Sequence, residues 1–334
     1  MPPENPDTEA DRLAGAIAAH ADSLRTGALG KHFRLADATF RLFARARNTI
    51  YRISSAHDWF LKLTRDGAHA PLVHERQGAA AIYSALGGHP SYNGPPVSRV
   101  SVDPAFVLTA AIPGTTLSRA FFIRSWIPGT ARSLEGALTA LGSLLGTLHN
   151  RARTAPDTLP ATTRPFLVIG TLLERVTRDD GVTDAIRSWY HSQPRSDEGA
   201  VFQHGNFRLD NVLLSRGRLA LIDFENCGTG SRYQDVSRPI SELLLTRALV
   251  AFPRHRADRA MSAFLDAYAA ASPVDPDSLA DYLRARLARY YLETQARGFR
   301  ARIGGVPVVK HKLADVVMGA MGGGFGAELL RGQS

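Results

Sequence analysis

The stretch Val201-Phe202-Gln203-His204-Gly205-Asn206-Phe207-Arg208-Leu209-Asp210-Asn211-Val212-Leu213-Leu214, followed twelve positions after Asn211 by Asp223 in Leu221-Ile222-Asp223-Phe224-Glu225, limits this chain more than any other feature. Val212 to Leu214 and Leu219 to Ile222, joined by Ser215-Arg216-Gly217-Arg218, read as a hairpin. An Asn entering one strand and an Asp leaving the next then meet at the open end of that hairpin. They offer hard oxygen ligands side by side, the kind magnesium takes. Gly205 allows a tight backbone, which sets residue 206 beside those ligands, where a phosphoryl acceptor would sit.

Two more strand-like segments, Thr49 to Ile53 and Trp59 to Leu63, form an earlier hairpin, and Pro71 to Leu86 has helical spacing ending at Gly87-Gly88. A strand from Ala105 to Ala111 precedes the turn Ile112-Pro113-Gly114, the expected boundary between residues 1–110 and residues 111–334. Helices are expected over 9–28, 134–149 and 172–192, and nearly everything after 235 reads as helical. Residues 193–200 read as a polar loop, and the MGGGFG run at 321–326 as a flexible end rather than a phosphate loop.

These landmarks together resemble the aminoglycoside phosphotransferase and choline kinase-like family, whose signature is H-G-D-x-x-x-x-N followed by I-D-[FW]-E. The resemblance spans roughly residues 40–300. It implies an α+β, two-lobed protein kinase-like fold, with a small β-rich N-lobe and a larger, mainly helical C-lobe. It also implies a phosphotransferase using ATP and Mg2+. Lys62 resembles the lysine that holds nucleotide phosphates, and Glu75, thirteen residues on, its ion-pair partner. Ala110 to Gly114 with Leu117 resembles the hinge whose backbone reads the adenine edge, which assigns Ala110 and Ile112 to the nucleotide. Asn211 and Asp223 resemble the metal ligands, Leu141-Gly142 through Leu148-His149 the L-G-x-x-L-x-x-L-H helix, and Asp235 the acidic residue that closes the metal loop. His204 is expected to orient the loop through hydrogen bonds. Where the family carries its catalytic Asp, this chain has Asn206, and an amide does not accept a proton as a carboxylate does. Asp210 is then a candidate substitute base. Two readings follow: a phosphotransferase with an impaired or atypical base, and a kinase-shaped nucleotide-binding module.

Forty Lys and Arg against thirty-one Asp and Glu leave a net charge of +9, which penalises a cationic acceptor such as an aminoglycoside. A hydroxyl on an anionic metabolite, or a Ser or Thr of an acidic precursor peptide undergoing modification, suits that charge better. Arg286, Arg297 and Arg300 on the late helix are the candidates for holding it. The cations are scattered and no nucleic-acid-binding signature accompanies them, so nucleic acid is not an expected partner. No apolar run approaches the roughly 18 residues of a membrane span. The N-terminus lacks a secretory pattern, which gives a cytoplasmic expectation. The single cysteine, Cys227, excludes an internal disulfide and reads as a bystander in a loop.

Overall fold

Residues 39–45, 48–54, 58–64, 70–94, 99–102, 105–125, 127, 129–151, 165–176, 180–192, 200–248, 253–297, 302–303, 306–307 and 310–322 are described by the structure, a computed structural model. The expected helix at 9–28 lies outside them, as do 193–199 and 323–326. The chain forms two compact units, Met1–Leu72 with Pro96–Ala111, and Val73–Pro95 with Ile112–Ser334. The larger unit therefore takes over at Ile112 but also claims 73–95, residues that a single division at 110 assigns to the N-lobe.

In the smaller unit Thr39–Arg45 (β1), Asn48–Ser54 (β2), Asp58–Thr64 (β3), Arg99–Val102 (β4) and Ala105–Ala110 (β5) build one antiparallel sheet in the order β1-β2-β3-β5-β4. The segments at 49–53 and 59–63 owe their pairing to β-branched and aromatic residues, which suit a pleated, half-buried surface. Leu61, Ile53, Val107 and Leu108 are fully buried. Lys62 pairs in register with Ile50 and Val107, and only 8% of its surface is exposed.

Ala70–Leu86 (α1) starts at the end of the smaller unit and from Val73 on belongs to the larger, which continues with Thr115–Thr116 (β6), Leu117–Arg124 (α2), Ala131–Arg151 (α3), Pro165–Arg175 (α4) and Gly181–Ser192 (α5). Thr116 caps α2, its hydroxyl accepting the Arg119 N–H at 3.4 Å. The single helix expected at 172–192 is two. Asp180 Oδ1 accepts the Thr183 N–H at 2.8 Å and so starts α5 afresh, while its Oδ2 accepts from Tyr291 Oη at 2.6 Å. Leu134, Leu138, Leu141, Leu145 and Leu148 recur at helical spacing along α3 and are buried.

Val201–Gln203 (β7), Val212–Ser215 (β8), Arg218–Leu221 (β9) and Gly228–Gly230 (β10) follow, and β8 pairs with both β9 and β6. Between β8 and β9 both turn residues have positive φ, Arg216 at +48° and Gly217 at +78°, which matches the twist of a two-residue hairpin loop. Tyr233–Arg247 (α6), Arg254–Ala271 (α7) and Pro276–Arg297 (α8) come next, then the short strands Arg302–Ile303 (β11) and Val306–Pro307 (β12), and Lys310–Met321 (α9). The α3 stripe packs on α7, whose Ala257, Phe264, Leu265 and Tyr268 are buried with it. Truncating any one of these leucines to Ala would cost about 2–5 kcal/mol. Among the described residues no helix is long and apolar enough to cross a membrane.

Candidate active site

The open end of the β8–β9 hairpin brings Asn211 and Asp223 together. The ladder runs one step past the strands, Ile222 N–H donating to Asn211 O at 3.0 Å, so the next side chains stand side by side. Asn211 Nδ2 donates to Asn206 O at 2.9 Å and approaches Asp223 Oδ2 at 3.4 Å. Asn206 Nδ2 donates to the same Asp223 oxygen at 2.9 Å. Asp223 adopts φ +68°, a conformation unusual for a residue with a side chain and a store of local strain. Gly205, at φ +74°, approaches Asn226 so closely that any Cβ there would overlap its carbonyl oxygen. Glycine is the residue this contact permits.

The loop is held from below by a buried carboxylate. Asp235, at the start of α6, accepts the His204 N–H at 2.7 Å on one oxygen and the Gly205 N–H at 3.0 Å on the other. Burial works to raise its pKa, but contacts with His149 and His204 outweigh this and hold it below the ordinary 3.8. His149 Nε2 lies 3.6 Å from Asp235 Oδ2, within ion-pair range but too long for a hydrogen bond, and its Nδ1 meets Tyr268 Oη at 2.9 Å. His204 is fully buried, and burial lowers its pKa below 6.5. Its partners fix the tautomer: Nδ1 accepts the Asn206 N–H at 3.3 Å, so Nε2 carries the proton and donates to Ile222 O at 3.1 Å. Both ring nitrogens are spent on backbone.

Asp210 is equally engaged. Ser118 Oγ, on α2, donates to Asp210 Oδ1, and Arg208 Nη2 donates to Oδ2 at 3.2 Å. Arg208 Nε also donates to Glu242 Oε1 at 3.0 Å, and Leu209 N–H to Glu242 Oε2 at 3.0 Å. Glu242 is buried on α6; burial raises its pKa above the ordinary 4.5, and Arg208 and the Leu209 N–H offset this only in part. Loop 204–211 is thus fastened at one end by Asp235 and at the other by Glu242. Sequence reading gave Glu242 and Ser118 no part, because nothing local marks them; only their distance from the loop in space does.

Glu75 is buried on α1. Three residues on, Gly78 lies against Cys227: a Cβ at position 78 would stand 2.6 Å from Cys227 Cβ and Sγ and 3.1 Å from Phe224 O. Cys227 is therefore a buried packing residue, 1% exposed, rather than a loop bystander, and its burial pushes the thiol pKa well up. Through this contact α1 docks directly behind the segment that carries Asp223. Ala110 ends β5 opposite Trp59, and the half-buried Ile112 begins the larger unit's second stretch.

The arginines of α8 do not form the exposed row their spacing suggests. Arg286 is 3% exposed, set between the buried Ala285 and Leu287, and donates to Gln234 O at 3.0 Å and Ser237 Oγ at 3.4 Å on α6. Arg289 pairs with Glu293 at 2.9 Å. Arg297 closes the helix and Arg300 lies outside the described residues. Helical spacing placed Arg286 on a polar face, whereas α8 is covered on several sides, so its stripe is not a reliable compass.

One carboxylate and two amides at a hairpin mouth are hard oxygen donors, which fit a divalent ion such as magnesium and not a soft metal. Among the described residues no group of three or more His, Cys, Asp or Glu stands together, so a metal here would rest on Asn211 and Asp223 with oxygens from a ligand.

Solved structures of kinase-like fold resemble this chain. A choline/ethanolamine kinase family protein from Mesorhizobium loti superposes with a TM-score of 0.58 at 14% identity, covering 95% of this chain and 99% of the other. An amicoumacin kinase in complex with AMP-PNP, Ca2+ and Ami gives 0.54 at 16% identity over 86% and 88% of the two chains. A macrolide 2'-phosphotransferase from Brachybacterium faecium gives 0.51 at 19% identity over 85% and 92%. No curated protein sequence matches the chain. The fold is accordingly the two-lobed kinase-like one, and because the model of the phosphotransferase enzyme family matches residues 39–288, the chain belongs to that family.

Proposed function

We propose that this protein is an ATP- and Mg2+-dependent phosphotransferase that acts on a hydroxyl of an anionic acceptor, a metabolite or a Ser or Thr of an acidic peptide. The observation that carries the reading is the convergence of Asn206, Asn211 and Asp223 at one hairpin mouth, with 2.9 Å between Asn206 Nδ2 and Asp223 Oδ2. Lys62 and Glu75 are assigned to the nucleotide phosphates, Ala110 and Ile112 to the adenine edge, and Asn211 and Asp223 to the metal. Bound Mg2+ would neutralise charge on the transferring phosphoryl group, which is most of what catalysis needs in a loose transition state. Asn206 then serves to orient the acceptor hydroxyl rather than to take its proton, and the missing base costs about 10²- to 10⁴-fold in rate. Asp210, with both oxygens committed to Ser118 and Arg208, anchors the loop instead of replacing that base.

A second reading, a nucleotide-binding module without transfer, is favoured by the same Asn206. Slow ATP hydrolysis, assayed for the wild-type protein, Asn206→Asp and Asp223→Ala, separates the two. A slow wild-type rate, a gain of about two orders of magnitude in Asn206→Asp and loss in Asp223→Ala support the phosphotransferase. Inertness of all three, with nucleotide still bound by the wild type, selects the module.

A further inference from the structure

Asp235, Arg238 and Glu242 stand at i, i+3 and i+7 on α6, which sets them within about 60° of one another around the helix axis. The outer two hold the ends of loop 204–211, Asp235 through His204 and Gly205 and Glu242 through Arg208 and Leu209. Arg238, between them, is half-buried, and its guanidinium makes no hydrogen bond or ion pair among the described residues. Its Nε is enclosed without a partner. Arg238 lies between two loop anchors along the helix and is the member of this row whose side chain has no hydrogen-bond partner among the described residues.

Arg286 stands behind it. Only neutral acceptors, Gln234 O and Ser237 Oγ, meet that buried guanidinium. Burial lowers its pKa well below the ordinary range, and the adjacent Arg238 lowers it further. One turn along α8, Tyr290 is within electrostatic reach of both Arg286 and Arg208, so this face of α8 runs from the arginine pair to the loop. Asp235 is within electrostatic reach of Arg286, but both of its oxygens are committed to the His204 and Gly205 N–H groups, and in the sequence residues 294–314 contain no Asp or Glu. Two neighbouring guanidinium groups set against a carboxylate already engaged by backbone leave positive charge in excess, and the cost is recovered where a ligand brings a further anion. Stapling α6 accounts for Arg286 and leaves Arg238 unexplained.

We propose that Arg238, with Arg286 behind it, binds a carboxylate or phosphate group of the acceptor, beside the loop whose Asn206 meets the reacting hydroxyl. The proposal deepens the phosphotransferase reading and rests on it for the word acceptor, but not for the anion site. Bidentate recognition of such a planar or tetrahedral oxyanion is the chemistry in which arginine excels.

The test is a set of thermal melts of the full chain with Mg2+ and AMP-PNP present, titrated separately with inorganic phosphate and with succinate, against potassium chloride of matched ionic strength. The expected result is a rise in Tm with one of the two anions beyond that with chloride, the anion that acts identifying the group recognised. Arg238→Gln should weaken its apparent affinity about ten-fold or more, and Arg238→Lys should retain part of it. AMP-PNP affinity should be unchanged in both variants, which shows that they are folded. Should Arg238→Gln not fold, the comparison of Arg238→Lys with the wild type decides. No anion-specific shift in the wild type, or the same shift in the variants, overturns the proposal. Failure of the wild type to bind AMP-PNP would defeat the nucleotide reading alone, since the same titrations run without nucleotide still decide the anion site.

Discussion

Asn206 Nδ2 and Asp223 Oδ2, 2.9 Å apart, form a hydrogen bond that a carboxylate at position 206 could not make. Asn206→Asp would set two acceptors and two negative charges face to face, a juxtaposition that a divalent ion relieves and an empty site does not. We expect the variant to lose about 1–3 kcal/mol of stability without Mg2+ and to regain most of it with Mg2+ present. Chemical denaturation with and without the metal checks this. Equal stability of variant and wild type in EDTA would show that the amide bond to Asp223 has no role in the resting site.

Asp235 should set the acid limb of the stability profile. Its folded-state pKa is lowered from 3.8, so its contribution is fully present above that value and is lost as pH falls through the lower folded value. In Asp235→Asn the amide retains one acceptor oxygen and turns a second donor against a backbone N–H, which should cost about 2–4 kcal/mol at neutral pH. The penalty should shrink towards pH 2, where the wild type has also lost its carboxylate. A penalty that does not change between pH 7 and pH 2 would count against Asp235 as the charged clamp.

Gly78→Ala should separate α1 from the segment that carries Asp223. The added methyl would lie 2.6 Å from Cys227 Cβ and Sγ, so backbone must shift, at about 1–3 kcal/mol. Cys227→Gly in the same chain makes room, and the two changes should couple by about 1 kcal/mol or more in a double-mutant cycle. Strict additivity would mean that the two residues are not in contact.

Asp210→Asn distinguishes an anchor from a base. With Ser118 and Arg208 as its partners, the loss should appear as lower stability, about 1–2 kcal/mol, with the pH dependence of ATP hydrolysis unmoved. Disappearance of a titrating limb from that profile, with stability retained, would restore Asp210 as the base.

Local chemistry made the hairpin and the meeting of Asn211 with Asp223 legible. Asn211 and Asp223 are placed by two short apolar runs and by a turn whose Gly217 suits positive φ, and both signals lie within a few residues of the atoms they position. The strands at 48–54 and 58–64 and the helix at 70–86 were legible for the same reason. β1 and β4 were not: Thr39–Arg45 carries two arginines among its apolar residues and Arg99–Val102 is only four residues long, and both become strands by pairing with their neighbours. The misreadings share one cause. Cys227, Arg286 and Glu242 take their roles from partners far along the chain, Cys227 from Gly78, Arg286 from Gln234 and Glu242 from Leu209, and no short window of sequence contains both members of such a pair. The break at Asp180 was missed because a capping aspartate inside an apolar-periodic stretch looks like any other polar position of a helix.

Because the smaller unit is drawn from two stretches, the chain passes between the units three times, after Leu72, Pro95 and Ala111. During synthesis β1, β2 and β3 leave the ribosome first, and α1 follows long before the body to which it belongs exists. Its docking surface at Cys227 is made about 150 residues later, a delay of roughly ten seconds or more at ordinary elongation rates. Throughout that interval the Gly78 face of α1 lacks its partner Cys227, although α3, whose Arg151 reaches Ala85 O and whose leucines share a core with Ile82 and Leu86, is made earlier. A nascent chain arrested before residue 227 therefore carries α1 with its Gly78 face uncovered, and that face is where a chaperone would bind it.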